Sequence, residues 1–150
     1  MRQITATVDL DAPPERVWQI LTDTAGHSAW NPFITKMAGT LEVGQKLDIT
    51  IAPPGGKPMS FRPTVTDVQP AQRLAWLGHL GFPGLFDGAH TFTLTPLPDG
   101  RTQFVQAETF SGVLVWISRG LLAKTAAGFE AMHDALRHRV SEHPLTPLAP

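Results

Sequence analysis

The chain has 150 residues, 42 % of them hydrophobic, which is enough for one compact core without requiring a second. A formal net charge of −1, with the twelve basic residues scattered along the chain, gives no electrostatic drive toward nucleic acid, and no such partner is expected. The absence of cysteine excludes a disulfide framework, a thiolate zinc site and a cysteine nucleophile.

Met1-Arg2-Gln3-Ile4-Thr5 lacks the apolar stretch of a secretory signal. Ile4, Ala6, Val8 and Leu10 then alternate with Thr5, Thr7 and Asp9, the period of a strand with one buried face. Asp11-Ala12-Pro13-Pro14-Glu15 supplies a helix start, with proline in the first turn and Glu15 at the positive end of the dipole. The helix is expected to run to Leu21 or Thr22, with Val17, Ile20 and Leu21 on one face. Trp30-Asn31-Pro32-Phe33 follows as a turn that carries two large rings.

From Phe33 to Phe110 the sequence reads as strands separated by turn chemistry at Glu42-Val43-Gly44, Pro53-Pro54-Gly55-Gly56, Pro70-Ala71-Gln72, Gly78 to Gly88, and Pro98-Asp99-Gly100. Nothing in this region has the length or period of a crossover helix, so an antiparallel meander is expected and a doubly wound fold is excluded. Pro53 to Pro58 lacks the spacing of a phosphate loop, and Pro58 stands where a magnesium-binding hydroxyl would be needed; it reads as a hairpin tip.

After Gly112 the period changes. Leu114, Ile117, Leu121, Phe129, Met132, Leu136 and Val140 fall on a helical face, which predicts a helix of about 28 residues, about 42 Å long. Gly120 and Gly128 each cost it about 1 kcal/mol relative to alanine, and read equally as sites of bending or close approach and as tolerated small residues. Val113-Leu114-Val115-Trp116-Ile117 is cut short by Ser118-Arg119, so no stable membrane insertion is expected and a cytoplasmic location is the simplest. The order of elements suggests a curved sheet wrapped around this helix with a cavity between, in a single domain over 1–143 followed by a proline-punctuated, flexible tail over 144–150.

Four stretches taken together are similar to the START-related polyketide cyclase and dehydrase superfamily, SRPBCC. They are Asp11 to Trp18, Trp30 to Phe33, His90-Thr91-Phe92-Thr93-Leu94 with Pro98-Asp99-Gly100-Arg101-Thr102, and Glu108-Thr109-Phe110-Ser111-Gly112 leading into the helix. The resemblance covers nearly the whole chain. It implies an α+β helix-grip fold: a curved antiparallel sheet around a long C-terminal helix, with two short helices after the first strand. It also implies a deep apolar cavity, which different members use for lipids, hormones, polyketides and aromatic compounds. Such a fold leaves the reaction open.

If Leu97 pairs with Arg101 across the Pro98-Asp99-Gly100 turn, His90 comes opposite Glu108 and Phe92 opposite Gln106. That register puts His90, Phe92, Leu94, Phe104, Gln106, Glu108 and Phe110 on one face, suited to a mostly apolar ligand with one or two oxygens. His90 and Glu108 read as ligand-orienting or structural groups, or as an acid-base pair. A one-residue slip of the hairpin would separate them. His133, on the border of the terminal helix's apolar face, reads as a partly buried helix residue. His133, His138 and His143 recur every five residues and point apart, while His27 and His79 show no carboxylate at ligand spacing, so no metal is expected. Trp18 and Phe61 are assigned to packing alone. Trp30, Phe33 and Trp76, with Phe82 and Phe86 from the glycine-rich loop, are expected at the cavity or as its lid; the loop reads alternatively as a satellite core or a homodimer contact.

There is no nucleophile elbow and no dinucleotide fingerprint, and no cofactor is expected. The best reading is a binder of a small or medium hydrophobic ligand whose candidate contacts are Trp30, Phe33, Trp76, Phe82, Phe86, His90, Phe92, Gln106, Glu108, Phe110, Phe129 and Met132. The runner-up is a cofactor-independent cyclase, dehydratase or isomerase using His90 and Glu108. A third reading makes the apolar loop a protein-interaction surface, as in co-chaperone-like relatives.

Overall fold

The computed structural model describes residues 1–115 and 119–142. Ile117 and the expected tail lie outside them. Among the described residues the order is β1 (Arg2–Leu10), α1 (Pro14–Thr22), α2 (His27–Trp30), β2 (Ile34–Ala38), β3 (Asp48–Ile51), β4 (Met59–Phe61), β5 (Thr64–Gln69), β6 (Arg73–His79), β7 (Asp87–Pro96), β8 (Thr102–Ser111) and α3 (Arg119–Glu142). This is the helix-grip arrangement, α+β, with two short helices after the first strand and the long terminal helix packed on an antiparallel sheet.

The sheet is divided rather than continuous. β1-β8-β7-β6-β5 form one part and β2-β3-β4 the other. A seam joins them: Lys46 bridges Thr64, Gly44 N donates to Val65 O at 2.8 Å, and Leu47 N donates to Pro63 O at 2.9 Å. A register shift between Val65 and Asp67 lies beside the seam, where the strand bends to leave one part for the other.

The β7–β8 hairpin has the register that its turn chemistry predicts. Leu97 N donates to Arg101 O at 2.8 Å, and His90 faces Glu108, Phe92 faces Gln106 and Leu94 faces Phe104. Alternation then buries the inward face, and Phe92, Phe104 and Gln106 are fully enclosed. β6 continues through Gly78 and His79, and β7 begins at Asp87, so the expected Gly78-to-Gly88 loop shrinks to Leu80–Phe86. The two glycines are paired ladder residues instead. Each leaves room for a large neighbour: a Cβ at Gly78 would stand 3.1 Å from the Phe61 ring, and one at Gly88 would stand 2.5 Å from Glu108 Oε2.

α3 has 24 residues, about 36 Å at the usual rise, against the 28 expected. Leu114 continues the apolar pattern but lies in the turn before the helix, because Gly112, at φ +111°, redirects the chain against Leu85. The helix buries Leu122, Phe129, Met132, His133, Leu136 and Val140. Its two glycines differ. A Cβ at Gly120 would meet nothing within 4 Å, whereas one at Gly128 would overlap the ring of Phe33, so the second is a site of close approach. Phe33 also meets Phe129 edge-on, with ring centroids 5.7 Å apart.

Candidate functional site

The Trp30-Asn31-Pro32-Phe33 turn is built around Asn31. Its Oδ1 accepts from Phe33 N at 2.9 Å and Ile34 N at 3.0 Å, an Asx-type closure that launches β2. Its Nδ2 donates to His27 Nδ1 at 3.0 Å, and His27 Nε2 donates to Leu21 O at 2.7 Å, tying the end of α1 to the turn. His27 is fully buried and desolvation lowers its pKa. The turn thus delivers Phe33 to the interior, while Trp30 packs half-buried on His27, with ring centroids 5.2 Å apart.

Phe33 forms one wall of a cavity between the two parts of the sheet and α3. Ile34, Ile51, Met59 and Phe61 line it from β2, β3 and β4; Trp76, Gly78, Gly88, His90, Glu108 and Phe110 line it from β6, β7 and β8; Leu121 and Thr125 come from α3, and His79, Leu80 and Phe86 from the end of β6 and the loop after it. The volume is about 50 Å³. That is far below the roughly 300–1,000 Å³ typical of drug-sized sites and holds only a few non-hydrogen atoms.

The polar end of the cavity is a chain of side chains running into the core. His90 Nδ1 stands 3.5 Å from Glu108 Oε1, while His90 Nε2 is 2.9 Å from Gln106 Oε1. Gln106 Nε2 in turn reaches His133 Nε2 at 3.2 Å and Met132 Sδ at 3.6 Å. A thioether can only accept, so the amide NH₂ faces Met132 and the amide oxygen faces His90. His90 Nε2 therefore carries a hydrogen, and His133 Nε2 accepts. Burial pushes the His133 pKa down to about 4, opposed by Asp134, so the ring is neutral at neutral pH and its Nδ1 hydrogen has no hydrogen-bond partner. Aromatic rings enclose His90: Trp76, Phe92 and Phe129 have centroids 5.1, 4.5 and 5.2 Å from it.

Of the residues singled out from the sequence, Phe33, Trp76, Phe86, His90, Glu108 and Phe110 border the cavity. Phe92, Gln106, Phe129 and Met132 lie one layer behind, in the closed core. Trp30 and Phe82 are away from it, and Phe82 is 64 % exposed at the loop tip. Three readings change. Phe61, assigned to packing, borders the cavity. His133 is fully buried, only 2 % exposed, not partly so. His79 does have a carboxylate: its Nδ1 meets Asp87 Oδ1 at 2.7 Å across the loop, and this hydrogen bond holds the Asp87 pKa below the usual range. The signal that could have found it was the apolar strand end on both sides of the loop, which extends the β6–β7 ladder to this pair.

The loop itself is held at several points. Asp87 accepts from Gly84 N at 3.0 Å, Leu80 N donates to Phe86 O at 2.9 Å, and Phe86 packs on Phe110, Val115 and Leu122. Val113 N donates to Gly84 O at 3.2 Å and Leu114 N to Leu85 O at 3.1 Å, joining the loop to the turn before α3. Among the described residues no three His, Asp or Glu side chains converge as a metal-binding group, and no helix is long and apolar enough to cross a membrane.

Several solved structures share this fold. The aromatase/cyclase ZhuI from Streptomyces sp. R1128 superposes with a TM-score of 0.78 at 19 % identity, over 97 % of this chain and 96 % of that one. Protein MLL2253 from Mesorhizobium loti gives 0.76 at 24 % identity over 96 % and 100 %. A START superfamily protein from Mycobacterium smegmatis gives 0.75 at 18 % identity over 93 % and 97 %. At these identities the likeness is one of fold. A search of curated proteins finds no match. The model of the family described as polyketide cyclase / dehydrase and lipid transport matches residues 1–141, and the chain belongs to that family.

Proposed function

We propose that the protein binds a small hydrophobic ligand in this cavity, with Glu108 and His90 holding its polar end. The observation that carries the reading is a wall of five aromatic rings, Phe33, Trp76, Phe86 and Phe110 buried and Phe61 partly so, beside one carboxyl group and one imidazole. Apolar lining with few convergent polar groups is the usual composition of a small-molecule site. At about 50 Å³ the cavity must widen to take even a one-ring ligand, and we assign that widening to movement of Leu80–Phe86. Native against denaturing mass spectrometry of the purified protein tests this: a small apolar compound that travels with the fold and leaves on unfolding supports it. An empty protein that no one-ring or two-ring aromatic compound stabilises against heat overturns it.

A second reading is a cofactor-independent enzyme in which Glu108 or His90 moves a proton on a bound carbonyl compound. It is favoured by the fixed hydrogen on His90 Nε2, which leaves Nδ1 facing Glu108 at the cavity wall. ZhuI, of the same fold, is an aromatase/cyclase. Once a converted compound is in hand, Glu108→Gln separates the readings. Binding retained with turnover lost places the proton transfer at Glu108, and undiminished turnover removes it from that role.

A further inference from the structure

We infer that the ligand presents a hydrogen-bond donor, a phenolic, enolic or alcoholic hydroxyl, to Glu108, so that a hydroxyl is favoured there over an ether or a carboxylate. This rests on the binding reading above and follows from where each polar hydrogen of the cavity goes.

Five side chains with a polar nitrogen or oxygen border the cavity: Trp76, His79, His90, Glu108 and Thr125. The Trp76 indole N–H can only donate. The Thr125 hydroxyl donates to Leu121 O at 2.8 Å, so its hydrogen is engaged. His79 Nδ1 faces a carboxylate at 2.7 Å and carries its hydrogen there, which leaves Nε2 as an acceptor while the ring is neutral. The His90 Nε2 hydrogen is committed to Gln106, an orientation enforced from behind by the Met132 sulfur and the neutral His133.

Beside the His79 acceptor and the Trp76 donor stand His90 Nδ1 and the Glu108 carboxyl group. If the pair holds no proton, two acceptors face each other at 3.5 Å, beyond a good charge-assisted bond, and a donor is what that arrangement lacks. If the pair holds one proton and it sits on His90 Nδ1, it points toward Oε1, and Oε2 is left to accept. Oε2 lies over the bare Cα of Gly88, and both residues line the cavity. Both arrangements therefore present an acceptor. An anionic ligand would also meet the Glu108 charge in a setting of low polarity.

The test is a matched set on one ring: para-cresol, para-methylanisole and para-toluate, titrated by ligand-observed NMR and thermal shift at about pH 8, above the ordinary histidine range. Para-cresol is expected to bind at least about ten-fold tighter than para-methylanisole, the worth of one hydrogen bond to a charged group, with para-toluate weakest. In Glu108→Gln the side chain brings an amide donor to the same place, and the cresol preference should collapse to within about three-fold. Equal binding of cresol and anisole to the wild-type protein, or a preference for toluate, overturns the inference and leaves the binding reading standing. Failure of all three to bind overturns the inference, while the binding reading is decided by the mass-spectrometric and thermal tests above. The wild-type comparison decides even if the variant does not fold.

Discussion

Asn31 and His27 satisfy each other inside the core, the asparagine Nδ2 donating to the imidazole Nδ1 at 3.0 Å while the far ring nitrogen holds Leu21 O. Removing either partner leaves buried polar groups without hydrogen bonds. Asn31→Ala strands the Phe33 and Ile34 amides as well, and is expected to cost about 2–4 kcal/mol, measured by urea denaturation. Because the turn delivers Phe33 to the cavity wall, the same variant should weaken any ligand found.

The two glycines of α3 predict opposite outcomes for one substitution. Gly120→Ala meets open space and should stabilise the protein by up to about 1 kcal/mol through helix propensity. Gly128→Ala drives a methyl into the Phe33 ring and should destabilise it by about 1–3 kcal/mol despite the same propensity gain. Thermal melts of the two variants side by side check this; a stabilised Gly128→Ala would contradict the packing described.

Two buried histidines set a pH dependence with a definite sign. Burial lowers the pKa of both His27 and His133, the latter to about 4, so the unfolded chain takes up protons first as the medium acidifies. Their neutral-state stability is present in full above about pH 6.5 and is lost as pH falls from there toward the folded values. For His133 the loss is about 3 kcal/mol between about pH 6.5 and 4. Urea midpoints across this range should fall accordingly, and His133→Phe should flatten the slope. A midpoint that stays constant down to pH of about 4.5 would contradict a neutral, buried His133.

Asp87 holds the loop over the cavity by accepting from His79 and from Gly84 N. Asp87→Ala should raise hydrogen exchange at Gly84 and Leu85 while leaving the β7–β8 ladder protected, because the loop's backbone contacts are local and the sheet's are not. Ligand association should quicken in the same variant. Unchanged exchange at both amides would show that the side chain does not restrain the loop.

The sequence was most legible where a short turn fixes a period-two pattern. The Pro98-Asp99-Gly100 turn, with Leu97 opposite Arg101, set the register that puts His90 beside Glu108. It was least legible where partners come from distant backbone. The role of His27 depends on the carbonyl of Leu21, six residues earlier at a helix end, and no spacing rule marks it. His133 lies on the edge of the helical face, where about 100° per residue leaves inside and outside ambiguous until the sheet's curvature is known. The β6–β7 strands ran further than their glycines suggested because Phe61 and Glu108 occupy the space that side chains there would need.

The backbone bonds from Val113 to Gly84 and from Leu114 to Leu85 tie the Leu80–Phe86 loop to the turn that follows β8. The loop can swing outward only by carrying that turn along or by breaking those bonds, so the two segments, far apart in sequence, are mechanically one. Under the proposed binding function, any ligand that needs the loop open must disturb the end of β8 as well.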